Sequence, residues 1–162
     1  EDDVGSLVTA AVSGTGITVT SNANEWTPVL GIRCTPGFPN LVNTIKNIEI
    51  LNNTSRSLIY QLVFNPTITP NVNWQTIDYG VIQQAMGGTG YVLSNFGYPL
   101  MTNYVPPANR VGLGQTDITK ALARLGTAIN GTPDTLWIVG RFLDNTGSSA
   151  DVYASMNILL RG

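Results

Sequence analysis

One run near the C-terminus, Asp134-Thr-Leu-Trp-Ile-Val-Gly-Arg-Phe-Leu143, is apolar on both faces when extended. A strand of that kind belongs inside a sheet with something packed over each side. The turn formers Asp144-Asn-Thr-Gly-Ser-Ser149 follow it. The chain then alternates, with Val152, Ala154, Met156, Ile158 and Leu160 on one side and Tyr153, Ser155 and Asn157 on the other. Period-2 patterning around a Gly/Ser/Asn turn predicts a long antiparallel hairpin over Thr132–Gly162, with Leu136–Phe142 at the centre of the core.

The rest of the chain has to cover that centre. Ser6–Val12 and Ile17–Thr20 are β-prone runs joined by Ser13-Gly-Thr-Gly16, which reads as a first hairpin. Glu25–Cys34 reads as an irregular strand whose Pro28 places it at an edge or a bulge. Ile45–Leu51 and Leu58–Phe64 flank Asn52-Asn-Thr-Ser-Arg56 and predict a second hairpin. Leu58, Tyr60, Leu62 and Phe64 share one face, expected to pack toward Leu136–Phe142. Pro66 and Pro70 end that strand. From Asn71 to Ala108 the pattern breaks down into short strands near Trp74–Val81 and Met101–Val105 with long loops, which usually carry contacts or function.

One helix is predicted, over 116–125. Thr116 or Asp117 caps it, Ile118, Ala121, Leu122 and Leu125 form its stripe, and Gly126 ends it. Short strands at close turn spacing with one helix before the last pair predict an all-β fold. The expectation is a single antiparallel β-sandwich domain over 1–162, jelly-roll-like, with an extended arm over 1–6. An immunoglobulin-like arrangement is the main alternative.

Charge narrows the partners. Only 11% of the 162 residues are charged, against roughly 25% in a typical soluble domain, so Asn, Thr, Ser, Gln and Gly carry the surface. That surface suits virion and secreted β proteins. The net charge is −2, and Glu1, Asp2 and Asp3 supply part of it, leaving the body close to neutral. The eight basic residues are scattered, whereas nucleic-acid binding needs a clustered patch, so neither nucleic acid nor an anionic membrane is an expected partner. With one cysteine and no histidine, an internal disulfide and a cysteine-based zinc site are excluded. No cofactor is expected. The start at Glu1, without Met, reads as a processed product.

Hydrolytic chemistry without His needs paired carboxylates. Of those in the body, only Glu25, Glu49 and Asp78 lack an obvious capping or turn role, and the structural reading of them leads. Gly87-Gly-Thr-Gly90 lacks the Lys and Ser/Thr of a phosphate loop and reads as a surface loop. Asp144-Asn-Thr-Gly147 reads as a turn rather than a calcium loop. The more informative set is aromatic: Trp74, Tyr79, Tyr91, Phe96, Tyr98 and Tyr104, with Phe38 in an earlier loop. Exposed rings on sandwich loops stack on sugars or anchor protein interfaces, whereas Trp26 and Trp137 are assigned to the core.

Three segments carry a resemblance: Leu113-Gly-Gln-Thr-Asp-Ile-Thr-Lys-Ala-Leu122, Pro133-Asp-Thr-Leu-Trp-Ile-Val-Gly-Arg141 and Asp151-Val-Tyr-Ala-Ser-Met-Asn-Ile158. Over about the last fifty residues the chain resembles small β-sandwich virion proteins of tailed bacteriophages, although it ends in Leu-Leu-Arg-Gly where an acidic end is commoner. The resemblance implies a non-enzymatic capsid decoration (cement) protein or fibre-head domain in the virion. It implies binding to a major capsid or other virion protein and self-association, commonly as a homotrimer. The contacts expected for such a role are Glu1–Leu7, Arg33–Asn40 and Trp74–Tyr104. The alternative is a carbohydrate- or receptor-binding module, with Trp74, Tyr79, Tyr91 and Tyr98 stacking on a surface glycan.

Overall fold

The computed structural model describes residues 6–12, 16–22, 24–34, 42–77, 82–107, 109–113, 124–125 and 134–161. Every strand pair among them is antiparallel. The first sheet is ordered β1 (Ser6–Ala11), β14 (Ala150–Arg161), β4 (Val42–Asn52) and β11 (Asn109–Leu113). The short β2 (Ile17–Val19) also lies on β14, and β12 (Arg124–Leu125) on β4. The second sheet runs β10 (Tyr98–Val105), β5 (Leu58–Phe64), β13 (Thr135–Phe142), β3 (Thr27–Cys34), β8 (Ile82–Met86) and β7 (Gln75–Thr76). A separate ribbon pairs β6 (Thr67–Thr69) with β9 (Val92–Asn95).

Without β2, the β6–β9 stretch and β12, eight strands remain, and their pairing is nested. The first pairs with the last (β1–β14), the second with the seventh (β3–β13), the third with the sixth (β4–β11) and the fourth with the fifth (β5–β10). β14–β4 and β13–β5 then join these pairs into sheets. The two sheets share one core. Val152, Ala154, Met156, Ile158, Ile48 and Ile50 from the first meet Leu30, Ile32, Leu58, Leu62, Leu136 and Phe142 from the second.

This arrangement corrects the expected hairpins. β13 and β14 are neighbours in sequence but lie in different sheets, as do β4 and β5. Asp144–Ser149 and Asn53–Ser57 are therefore crossings between layers. A crossing needs the same polar, Gly- and Asn-rich turn as a hairpin, so the local pattern does not separate them. β1 and β2 likewise do not pair with each other; both lie along β14, one after the other. Leu58, Tyr60 and Leu62 face the shared core, with β13 beside them in the same sheet. Pro28 sits at a register shift against β13, in agreement with a bulge.

No described residue is helical. Most of the expected 116–125 helix lies outside the described residues, and its end is corrected: Arg124–Leu125 is the strand β12, on Thr44 and Asn43 of β4. There it continues the ladder beyond β11, which reaches only Ile48, so those β4 backbone groups gain partners.

The two-sided apolarity of β13 finds its reason in a third layer. Leu136, Ile138 and Phe142 face the shared core. Trp137 and Val139 face the other way and form a second small core with Val63 and Ala85. The β6–β9 ribbon and its flanks cover that core with Ile68, Leu93, Phe96, Val72 and Trp74. The first sheet's outer face carries a polar stripe instead: Thr9 donates to Asn157 (2.7 Å) and Asn157 to Asn47 (2.5 Å) across three strands.

Candidate functional site

The aromatic set does not form one platform. Trp74 is half-buried, edge-on to Trp137 at 5.7 Å between centroids, with the Arg33 guanidinium 4.6 Å above its ring. Burial pulls the Arg33 pKa below its ordinary value. These two residues line a cleft of about 370 Å³ with Ile68, Asn71 and Val72. Phe96 is half-buried against Trp26, 5.8 Å between centroids. Tyr91 is half-buried beside them in a separate cleft. Tyr98 and Tyr104 stand out on β10, 72% and 61% exposed. Phe38 and Tyr79, like Asp78, lie outside the described residues.

Trp26 is the residue that sequence reasoning misplaced. It is half-buried at the margin of the second core rather than inside it, packed against that core and held by Phe96 and by the Arg141 guanidinium 5.2 Å from its ring centroid. It lines a cleft of about 690 Å³ together with Tyr91, Phe96, Asn22, Asn24 and Glu25. The signal that could have located it is the run Ser21-Asn-Ala-Asn-Glu25 just before it: a Trp directly after a polar turn stands at the rim, one residue ahead of its strand.

Hydrogen bonds hold the walls of this cleft. Thr20 N donates to Thr27 Oγ1 (3.0 Å), Asn22 N to Thr20 Oγ1 (3.1 Å) and Asn22 Nδ2 to Glu25 Oε1 (3.0 Å). On the second wall Gly87 N and Gly88 N donate to the carbonyls of Val29 and Pro28 at 3.0 and 2.9 Å. A Cβ on Gly87 would collide with the Pro28 carbonyl, so this close approach needs glycine. Both N–H groups are spent on β3, so neither is free to cradle a phosphate. This agrees with reading 87–90 as a surface loop.

The third wall is the crossing from β13 to β14, clamped by Arg56. Its Nε reaches Asp144 Oδ2 at 2.5 Å, and Nη2 reaches Asp144 Oδ1 and the Ser148 carbonyl at 2.9 Å each. The same guanidinium lies 4.4 Å from the Phe142 ring centroid. Hydrogen bonds from Arg56, then its charge, hold the Asp144 carboxyl below the usual range, with Thr146 adding to the effect. The stability this contributes is present above the unfolded carboxylate value of about 3.9 and is lost as pH falls through the lowered folded value. Melting curves from about pH 6 down to pH 2 should therefore show a steeper acid loss for the wild type than for Asp144→Asn, the two converging at the acid end.

Glu25 and Glu49 do not form a catalytic pair. Glu25 is exposed in the Trp26 cleft, and Glu49 lines a different one with Tyr153 and Leu51. Among the described residues no group of three or more His, Cys, Asp or Glu is placed to hold a metal.

No family model matches the sequence, and no curated protein does. Among solved structures, the chain is similar to one in a structure of the infectious bursal disease virus Gx strain. The match covers 97% of this chain and 34% of that one, at 9% identity and a TM-score of 0.34. A chain of the T13 infectious bursal disease virus particle is matched over 96% and 31%, at 8% identity and a TM-score of 0.32. The present chain thus spans about a third of either viral chain. The coat protein of tobacco streak virus is matched over 93% and 90%, at 13% identity and a TM-score of 0.30.

Proposed function

We propose that this chain is a non-enzymatic structural module of a virus particle that works by self-association and by packing against other particle proteins. The nested pairing of eight strands in two sheets supports the jelly-roll-like reading, a fold used by capsid and lectin domains alike. Fold alone does not choose between these uses. The observation that carries the structural reading is β10. Among the described residues it is one of the two edges of its sheet, eight residues long and uncharged, with Tyr98 and Tyr104 facing solvent. Tyrosine at such an exposed site is a typical interface anchor.

The edge is blunted against simple strand addition. Pro99 has no N–H, the register shifts between Pro99 and Met101, and Asn103 Oδ1 accepts from Tyr104 N at 2.8 Å. The contact is therefore made through side chains. The finer reading, a cement or fibre-head protein on the outside of a tailed-phage particle, rests on the resemblance of 113–122, 133–141 and 151–158. A trimer is the assembly that resemblance implies.

Sedimentation velocity over a concentration series tests the proposal. The wild type should form a defined oligomer, and Tyr98→Lys/Tyr104→Lys should weaken it by at least about tenfold with an unchanged melting temperature. A wild type that stays monomeric at about 100 μM and does not bind particles overturns it.

A further inference from the structure

We infer that the Trp26 cleft is a binding site for a neutral saccharide, independent of the β10 contact and of whether the chain assembles. At about 690 Å³ the cleft falls within the range of small-ligand sites, ~300–1,000 Å³. Its composition selects the ligand class. Three aromatic rings, Trp26, Tyr91 and Phe96, supply flat apolar surface for the C–H face of a pyranose. Around them stand Asn22, Asn24 and Glu25, with hydroxyls of Thr89 and Ser149. The amides and hydroxyls can both donate to and accept from ring hydroxyls, and the Glu25 carboxylate accepts from them. A purely apolar ligand would leave them desolvated and unpaired.

The sign of the charge matters as much. Glu25 is the one charged residue lining the cleft among the described residues, and no Lys or Arg joins it. Phosphorylated or acidic sugars thus meet the Glu25 carboxylate in the lining, while the Arg141 guanidinium that lies over the Trp26 ring is not part of that lining. Glu25 takes a hydrogen bond from Asn22 through Oε1, which holds the carboxylate in place to accept from a sugar hydroxyl. Asn24 adopts a left-handed backbone conformation, φ 64°, which sets the turn carrying these side chains.

The site is also held ready. Trp26 is held by contacts with Phe96 and Arg141, the 87–91 loop is tied to β3, and the 144–149 turn is clamped by Arg56. Three segments far apart in sequence thus form walls that need little ordering on binding, and ordering is a large part of what weakens small-ligand affinity.

The test is titration of the full chain, at a concentration where it is monomeric, with a panel of neutral saccharides. The panel comprises glucose, galactose, mannose, N-acetylglucosamine and their short oligomers, each beside an acidic counterpart. Tryptophan fluorescence and saturation-transfer NMR give the readout. At least one neutral saccharide should bind saturably, better than its acidic counterpart. Tyr91→Ala should weaken binding roughly three- to tenfold, and Glu25→Gln by about threefold. Ser149→Tyr, on the exposed turn and away from both cores, should block the cleft with the fold intact, which keeps the test valid if Tyr91→Ala is unstable. Absence of saturable binding across the panel overturns the inference. So does binding that survives in Ser149→Tyr, or a preference for the acidic members. Because the readout is on the monomer, loss of the β10 contact leaves it unchanged.

Discussion

Trp137→Ala should destabilise the protein by about 3–5 kcal/mol, a large share of the roughly 5–15 kcal/mol that holds a domain folded. Trp137 is 1% exposed and forms the floor of the second core, with Val63, Val139 and Ala85 around it and Trp74 edge-on above. Removing the indole opens a cavity and strips Trp74 of its partner. Arg33, which sits over Trp74, then loses its seat as well. Denaturant titration should show a lower midpoint with little change in slope. A cost below about 1.5 kcal/mol would mean that the β6–β9 layer is an ornament rather than a core.

The same ring explains Gly31. A Cβ at that position would fall inside the Trp137 indole, so Gly31→Ala should cost about 1–3 kcal/mol by overpacking. In a Trp137→Leu background the ring is gone and the penalty should shrink. The double-mutant cycle would therefore show coupling between the two positions. Independent additive losses would contradict the packing described.

The second large effect is expected at Asn52, a fully buried polar residue at the end of β4. Its amide donates to the Arg56 carbonyl at 2.5 Å and the Pro106 carbonyl at 3.3 Å. Its Oδ1 accepts from Thr54 N at 3.2 Å and Thr54 Oγ1 at 2.6 Å. Asn52→Ala removes all of these and leaves buried groups unpaired, for a loss of about 2–3 kcal/mol. The effect should extend beyond the β4–β5 crossing. Asn52 fixes the backbone that presents Arg56, and Arg56 clamps the 144–149 turn. Amide exchange should therefore speed up in 144–149 as well as in 53–57. Exchange confined to 53–57 would show that the clamp is independent of Asn52.

The apolar faces were legible from the chain alone. Val152, Ala154, Met156 and Ile158 are buried as their alternation required, and Trp137 and Phe142 are core. The two-sided apolarity of β13 correctly called for a layer on each side. What failed was adjacency. Residues 144–149 and 53–57 look like hairpin turns, yet each carries the chain from one sheet to the other. The site failed for a related reason. Trp74 and Tyr91 are close in sequence but line different clefts, while Trp26 and Phe96, seventy residues apart, touch.

The sequence by itself determined that this chain makes strands, which side of β5 and β14 is apolar, that β13 is apolar on both, and that its surface is polar but poorly charged. Those properties are local: a side chain's face follows from its parity along the strand, and surface character follows from composition. Only the tertiary structure decided which strand lies beside which, that the β6–β9 ribbon supplies the second cover, and that Trp26 lines a cleft with Asn22, Glu25 and Tyr91. Strand partners are chosen by the fit of apolar faces across long sequence separations, and no turn residue encodes that choice.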